Sequence, residues 1–164
     1  MPLSKQSMPI NNPGANFYFE AVPTKGLIWV FVAISFLGFL DATFLTAEHY
    51  LGTLVGCPIF GGCDKVLKSP YSTVAGIPVA LAGAVYYLTL FLLGVIYLDI
   101  GRLRLLWFAA NLTLLGFIAS LWFLYLQAFV IKALCFYCIV SLVASTLLFF
   151  LGFVWRFRLG GGAA

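Results

Sequence analysis

The chain has 164 residues, of which 63% are hydrophobic and only 9% are charged, and its mean hydropathy is +1.09. This composition excludes a soluble globular domain, because the surface of such a domain has to present far more polar groups to water. The formal net charge is +4, but the basic residues stand between apolar blocks without a glycine loop or interleaved aromatic residues, so we interpret them as membrane anchors and expect no nucleic-acid partner.

Residues 1–25 precede the first apolar block, and this stretch contains four prolines. The block that follows begins too late, and is too long, to be the apolar core of a secretory signal, so we expect it to remain in the mature chain. We therefore predict that residues 1–25 form a loosely ordered cytoplasmic tail.

Four apolar segments follow, each long enough to cross a hydrocarbon core of about 30 Å as a helix. The predicted helices cover residues 27–47, 78–98, 103–129 and 133–155. They predict an all-α integral membrane fold in which residues 26–157 form a single four-helix bundle surrounded by lipid. Residues 158–164 are rich in glycine and predict a flexible C-terminal tail.

The connection between the first two helices, residues 48–77, is much longer than the other two connections. A connection of that length in so small a protein is usually functional or disordered, and its many apolar side chains argue against disorder. We predict that it folds back over the bundle and contains a short amphipathic helix near residues 64–69.

The distribution of Lys and Arg predicts how the bundle is oriented. Six lie on the side of the two termini and three on the opposite side: Lys5, Lys25, Arg102, Arg104, Arg156 and Arg158 against Lys65, Lys68 and Lys132. Because cytoplasmic segments carry the excess of Lys and Arg, both termini are predicted to be cytoplasmic. The long loop and the start of the fourth helix then face the periplasm or the exterior of a cell membrane.

The four cysteines form two pairs, both on the predicted outer side, where disulfides form and persist. Cys57 and Cys63 lie on the long loop, and Cys135 and Cys138 form a Cys-x-x-Cys at the start of the fourth helix. Residues three apart share one helical face, and the amino end of a helix together with Lys132 favours a thiolate. These features predict thiol–disulfide exchange.

Other interpretations of the cysteines stay open at this point. The loop pair can be a stabilising link, or the loop can be joined permanently to Cys135, as in a structural membrane scaffold. Four thiolates also suit a tetrahedral zinc site, which would make the chain a metal-binding or transport protein. The single His49 and the lack of a polar or Met-lined path argue against transport, so we expect no metal.

Five segments of the chain form an ordered set of motifs. They are residues 41–50 (DATFLTAEHY), the Cys57/Cys63 loop, residues 68–72 (KSPYS), residues 76–80 (GIPVA) and residues 135–138 (CFYC). Together they resemble the bacterial homologues of vitamin K epoxide reductase, and the resemblance extends from about residue 27 to residue 155. It implies a four-helix bundle that encloses a quinone, either ubiquinone or menaquinone.

The resemblance also implies what each cysteine does. Cys138 would lie next to the quinone with Cys135 as its partner, Cys63 would exchange with Cys135, and Cys57 would receive electrons from a thioredoxin-like protein. Ser69 matches a serine that follows the loop cysteines in the family, and we count it among the candidate quinone contacts. Some relatives carry a fused thioredoxin-like domain; this sequence ends at Ala164, so we expect a separate periplasmic or extracellular partner.

Two departures from the family concern the hydrogen bonds to the quinone. Vertebrate members use an asparagine on the second helix and a tyrosine after the Cys-x-x-Cys, and the nearest positions here are Val79 and Leu142. The resemblance therefore implies neither epoxide reduction nor a partner for the quinone carbonyl. Further candidates for these hydrogen bonds are Tyr86, Tyr87, Asn111 and Tyr137. For each of them the alternative is a hydrogen bond between helices or a position at the membrane interface.

Asp41, a carboxylate inside the first helix, is either a proton acceptor, a loop anchor or a hydrated interfacial residue.

Overall fold

The computed structural model describes residues 25–52, 62–74 and 76–160, with side chains described up to residue 157. The predicted N-terminal tail up to residue 24, Cys57 and residues 161–164 lie outside these ranges. Lys25, which the sequence assigned to the tail, is the first residue of a helix.

The described chain is built from helices, with a small hairpin beside them. The elements in chain order are helix α1 (Lys25–Leu51), helix α2 (Cys63–Leu67), a 3₁₀ turn (Pro70–Ser72), strands β1 (Thr73–Val74) and β2 (Ile77–Pro78), helix α3 (Val79–Ile100), helix α4 (Leu103–Tyr125), a π-helical turn (Leu126–Ile131) and helix α5 (Phe136–Gly160). The two strands pair antiparallel, with Thr73 opposite Pro78 and Val74 opposite Ile77. The short helix α2 lies close to where the sequence predicted one.

Four of these helices are long and apolar enough to cross a membrane, with bounds Lys25–Leu51, Val79–Ile100, Leu103–Ile131 and Phe136–Phe157. The predicted all-α, four-helix membrane fold is confirmed. Their ends differ from the predicted ends by a few residues, because a run of apolar residues does not mark where backbone hydrogen bonding stops. For example, α1 ends at Leu51 rather than at residue 47, and α5 begins at Phe136 rather than at residue 133.

Local signals explain where α3 begins and ends. Pro78 precedes its first residue in an extended conformation, and a proline suits this position because a helix start leaves its first N–H groups unpaired. Gly101 follows its last residue with φ 69°, a left-handed conformation that glycine adopts at little cost. The N–H group of Gly101 donates to the carbonyl oxygen of Tyr97, and the chain then turns into α4.

The helices pack in two main pairs, α1 with α3 and α4 with α5, and α1 also packs against α5. Glycines allow close approach where helices cross: a Cβ on Gly94 would lie 2.7 Å from a methyl carbon of Val32. The end of the bundle where α1 begins is filled by large side chains, including Phe31 and Trp155, whose ring centroids are 5.0 Å apart. At the opposite end, helix α2 and the hairpin of β1 and β2 lie beside the starts of α3 and α5.

Candidate functional site

Cys63 and Cys135 lie in one buried cluster at the end of the bundle where α5 begins. Both residues have 0% exposed surface, and Val66 and Phe136 are among the apolar side chains packed against them. Gly62, the residue before Cys63, allows this contact because it has no Cβ; a Cβ at this position would lie 2.6 Å from the carbonyl oxygen of Leu134. The segment that carries Cys63 is thus seated directly on the segment that carries Cys135.

Cys135 is the residue that caps helix α5, and it does not lie inside the helix as the sequence predicted. Its carbonyl oxygen accepts the N–H of Ile139 at 3.1 Å, while its own backbone precedes the first helical residue. The pKa of the Cys135 thiol is lowered by a hydrogen bond from the Cys138 side chain, and further by the backbone N–H groups of Cys138 and Tyr137, although burial acts in the opposite direction. Cys135 is therefore a thiol whose nucleophilic, ionised form is favoured.

Gln127 holds the turn that presents Cys135, a function that the sequence did not reveal. Its side chain is 4% exposed, and its Oε1 accepts the backbone N–H of Cys135 at 3.0 Å. Its backbone carbonyl oxygen accepts the N–H of Ala133. A lone glutamine eight residues before a Cys-x-x-Cys in an apolar stretch was the available signal.

The oxidation states of the described cysteines differ. Cys63 is disulfide-bonded, whereas Cys135 and Cys138 are free thiols, so the disulfide of Cys63 involves neither cysteine of the Cys-x-x-Cys. Within the ranges that the structure describes, no group of three or more His, Cys, Asp or Glu side chains is placed to hold a metal ion.

A cavity of about 380 Å³ lies between the four long helices at this same end of the bundle. Its volume falls within the range typical of small-molecule sites, and its lining is mostly apolar. Cys138 lines the cavity and Cys135 does not. Val79 and Leu142, the apolar residues at the positions of the vertebrate hydrogen-bonding residues, also line it.

Three of the predicted quinone contacts, Ser69, Tyr86 and Tyr87, line this cavity. The Ser69 hydroxyl donates to the carbonyl oxygen of Val66 at 2.7 Å, and its hydrogen is thus already engaged. The Tyr87 hydroxyl lies 2.8–2.9 Å from the carbonyl oxygen and hydroxyl of Ser141 and the hydroxyl of Ser145. These bonds tie α3 to α5 beside Cys138.

Tyr86 differs from its neighbour because its buried hydroxyl has no hydrogen-bond partner. The ring of Tyr86 packs at a steep angle against that of Tyr87, with centroids 5.0 Å apart. Its hydroxyl lies directly against Gly116, another residue that lines the cavity, where an added Cβ would clash with it. An unpaired hydroxyl in a mostly apolar site suits a ligand with a carbonyl oxygen, as a quinone has.

The other two predicted contacts, Asn111 and Tyr137, do not line the cavity. The Asn111 side chain donates to the carbonyl oxygen of Trp107 and accepts a hydrogen bond from Arg156. Tyr137 packs against Phe44, with ring centroids 5.1 Å apart. For both residues a quinone contact stays a prediction, and the structure shows each of them engaged with protein groups outside the cavity.

Comparison with known proteins identifies a family and a similar protein. The model of the family described as "Vitamin K epoxide reductase family" matches residues 29–153. The chain is also similar to "Thiol-disulfide oxidoreductase LTO1" of Arabidopsis thaliana, with 33% identity over 120 residues that cover 68% of this chain and 32% of that protein. The matched region therefore spans about a third of the length of this relative.

Proposed function

Because the chain belongs to the vitamin K epoxide reductase family, we propose that it is a membrane thiol–disulfide oxidoreductase that uses a quinone to oxidise a thioredoxin-like protein and so supports disulfide bond formation. The observation that carries this proposal is the order of buried groups at one end of the bundle. Cys63 packs with Cys135, Cys135 adjoins Cys138, and Cys138 borders an apolar cavity.

The proposed electron path follows that order. The reduced partner transfers two electrons to the Cys57–Cys63 pair as its two thiols become a disulfide. Cys63 then exchanges with Cys135, so that the Cys135–Cys138 pair becomes reduced and the loop disulfide forms again. The lowered pKa of Cys135 supports this exchange, because a thiolate both attacks and leaves more readily than a thiol.

A quinone, either ubiquinone or menaquinone, fits the residues that line the cavity. When bound, it supplies an acceptor for two electrons and two protons. Apolar side chains such as Val79 and Leu142 would enclose the ring and keep water out, Cys138 would face it, and the unpaired hydroxyl of Tyr86 would donate to a carbonyl oxygen.

The proposed location is a cell membrane, with both termini in the cytoplasm and both cysteine pairs at the outer face. Six Lys and Arg residues against three support this orientation. The chemistry agrees with it, because the partner's newly formed disulfide would persist in an oxidising compartment outside the cytoplasm.

Quinone reduction by the purified protein in the presence of a reduced thioredoxin-fold protein tests the proposal. We expect absorbance changes that report one quinone consumed for each partner disulfide formed, and loss of this activity in Cys138→Ala. Val143→Ala, which changes an exposed residue on the same helix, serves as the control and should retain the activity. Normal turnover in Cys138→Ala would contradict the proposal, and a scaffold with permanent disulfides would reduce no quinone at all.

A further inference from the structure

Asp41 is a partly buried acidic residue on α1, near the candidate site. Three residues before it, Gly38 contacts the ring of Tyr87, since a Cβ there would lie 2.6 Å from two ring carbons. Three residues after it, Phe44 packs against the ring of Tyr137. Asp41 therefore lies on α1 between the helix turn that meets Tyr87 and the turn that meets the Cys-x-x-Cys segment.

One carboxylate oxygen of Asp41, Oδ2, is buried and has no hydrogen-bond partner. An acidic side chain inside a membrane helix is costly, and an unpaired oxygen adds to that cost, so such residues usually serve a function. Tyr87 on α3 and the two thiols at the start of α5, Cys135 and Cys138, are among the groups that interact electrostatically with Asp41. Glu48 and His49 follow on its own helix, two turns farther along.

The Cys135–Cys138 pair needs a proton acceptor when its disulfide forms. Two S–H bonds break, one S–S bond forms, and two protons and two electrons leave the pair. Cys135 is fully buried and Cys138 is partly buried, so a protein group is better placed than bulk water to accept a proton from the pair. The hydroxyl of Tyr87 already lies among three oxygen atoms of Ser141 and Ser145. His49 lines the cavity together with Cys138, whereas Asp41 lies one helix turn before Phe44, which contacts the Cys-x-x-Cys segment, and has an unpaired oxygen that can accept a proton.

We propose that the Asp41 carboxylate is the base that accepts a proton from the Cys135–Cys138 thiols as they form their disulfide. One of the two protons passes first to Asp41, and the oxidant takes up both electrons and, overall, both protons. This inference rests on the proposed function for the identity of that oxidant, a quinone. The proton transfer itself is a property of the chain alone.

The test compares two rates in reduced, quinone-free protein carrying Asp41→Asn. The first is the alkylation of the pair by a small thiol reagent, which reports the population of thiolate. The second is closure of the Cys135–Cys138 disulfide by diamide, a small chemical oxidant. Because Asn removes a negative charge near the thiols, alkylation at a given pH should be unchanged or faster. Closure should be about 100-fold slower, as expected for the loss of a general base.

The control variant is Thr43→Val, which changes an exposed residue on the same helix and should leave both rates unchanged. Asp41→Glu keeps a carboxylate and should restore part of the closure rate. If Asp41→Asn changes the rate of disulfide closure in the same proportion as the rate of alkylation, Asp41 acts only as a neighbouring charge and the proposal is wrong. Equal closure rates in the Asn and Glu variants would also overturn it.

The wild-type protein provides a measurement that does not depend on how the variants fold. Closure by diamide should be about twofold or more slower in D₂O, because a proton moves in the rate-limiting step. An absent isotope effect would overturn the proposal. These experiments contain neither quinone nor partner, so their outcome is independent of whether the protein reduces quinone.

Discussion

Tyr86 and Tyr87 are adjacent in sequence, yet their hydroxyl groups have opposite surroundings. Tyr87 lies within hydrogen-bonding distance of three oxygen atoms on α5, and Tyr86 has no partner. A buried hydroxyl without a partner destabilises the folded protein by about 1–3 kcal/mol. We infer that Tyr87 joins two helices, whereas Tyr86 is kept for a ligand.

Replacement of Tyr86 by Phe separates these two effects. Without quinone, Tyr86→Phe should raise the free energy of unfolding by about 1 kcal/mol, because the unpaired hydroxyl is removed. With quinone, the Michaelis constant for the quinone should rise by about 3- to 10-fold, the equivalent of one neutral hydrogen bond. Unfolding in detergent and steady-state quinone reduction measure the two quantities.

Tyr125→Phe is the matched control, since Tyr125 is exposed and does not line the cavity. It should change neither quantity. A Tyr86→Phe variant that binds quinone normally would show that another group donates to the carbonyl oxygen.

At the residue scale, the sequence identified the chemistry but not the environment of single side chains. The four cysteines were predicted as the reactive groups from their spacing and from the charge distribution. The difference between Tyr86 and Tyr87 did not, because neighbouring residues on a helix point about 100° apart and only the packing of α4 and α5 decides what each meets. Asn111 was a candidate by type, but Arg156, 45 residues away, engages its side chain.

Among the elements, the five-residue helix α2 depends on its contacts with the rest of the molecule. A helix of this length is not stable alone, because the unfavourable free energy of helix nucleation exceeds the stabilisation from the hydrogen bonds of a single turn. Its position is set by the backbone of Gly62 against Leu134 and by the burial of Cys63. Whether Cys63 reaches Cys135 therefore depends on the lack of a side chain at position 62.

Gly62→Ala tests this dependence. The added Cβ would lie 2.6 Å from the carbonyl oxygen and 3.0 Å from the nitrogen of Leu134, and backbone atoms cannot move aside as a flexible side chain can. Overpacking of this kind costs about 1–3 kcal/mol, so formation of a Cys63–Cys135 disulfide should become roughly tenfold less favourable. Oxidation of protein in which Cys57 and Cys138 are Ser, followed by gel analysis of the cross-link, measures the change.

Gly26→Ala is the control for that experiment, because a Cβ at Gly26 would meet nothing within 4 Å. Cross-linking should proceed normally in this variant. Undiminished cross-linking in Gly62→Ala would mean that the Cys63 segment reaches Cys135 by another route.

The four long helices could be predicted from the sequence because a continuous apolar run of that length is typical of a membrane-spanning helix and of few other structures. The sequence missed the connection between α4 and α5, where the π-helical turn extends to Ile131 and Lys132 adopts φ 52°. Both features follow from hydrogen bonds to Gln127, whose carbonyl oxygen accepts the N–H of Lys132 and whose side chain accepts that of Cys135. Apolar periodicity contains no information about such bonds.

In the whole molecule, the two ends of the bundle differ in packing and in charge. One end is filled by large side chains such as Phe31 and Trp155, and the other contains the cavity and the cysteines. The described basic residues at the filled end are Lys25, Arg102, Arg104 and Arg156, and those at the cavity end are Lys65, Lys68 and Lys132. The same two ends of the bundle thus differ both in packing and in charge, although different residues produce the two differences.

The difference in charge between the two ends predicts which end faces the outside of the cell. In a variant whose four cysteines are Ser, single substitutions Lys65→Cys and Arg102→Cys place one thiol near each end of the bundle. A membrane-impermeant maleimide added to intact cells should label Lys65→Cys, and it should label Arg102→Cys only after the membrane is permeabilised. Lys132→Cys is a second site at the cavity end and should behave like Lys65→Cys. Labelling of Arg102→Cys in intact cells would place the cysteine pairs in the cytoplasm, where thiols are kept reduced, and the protein would then have no oxidising compartment to serve.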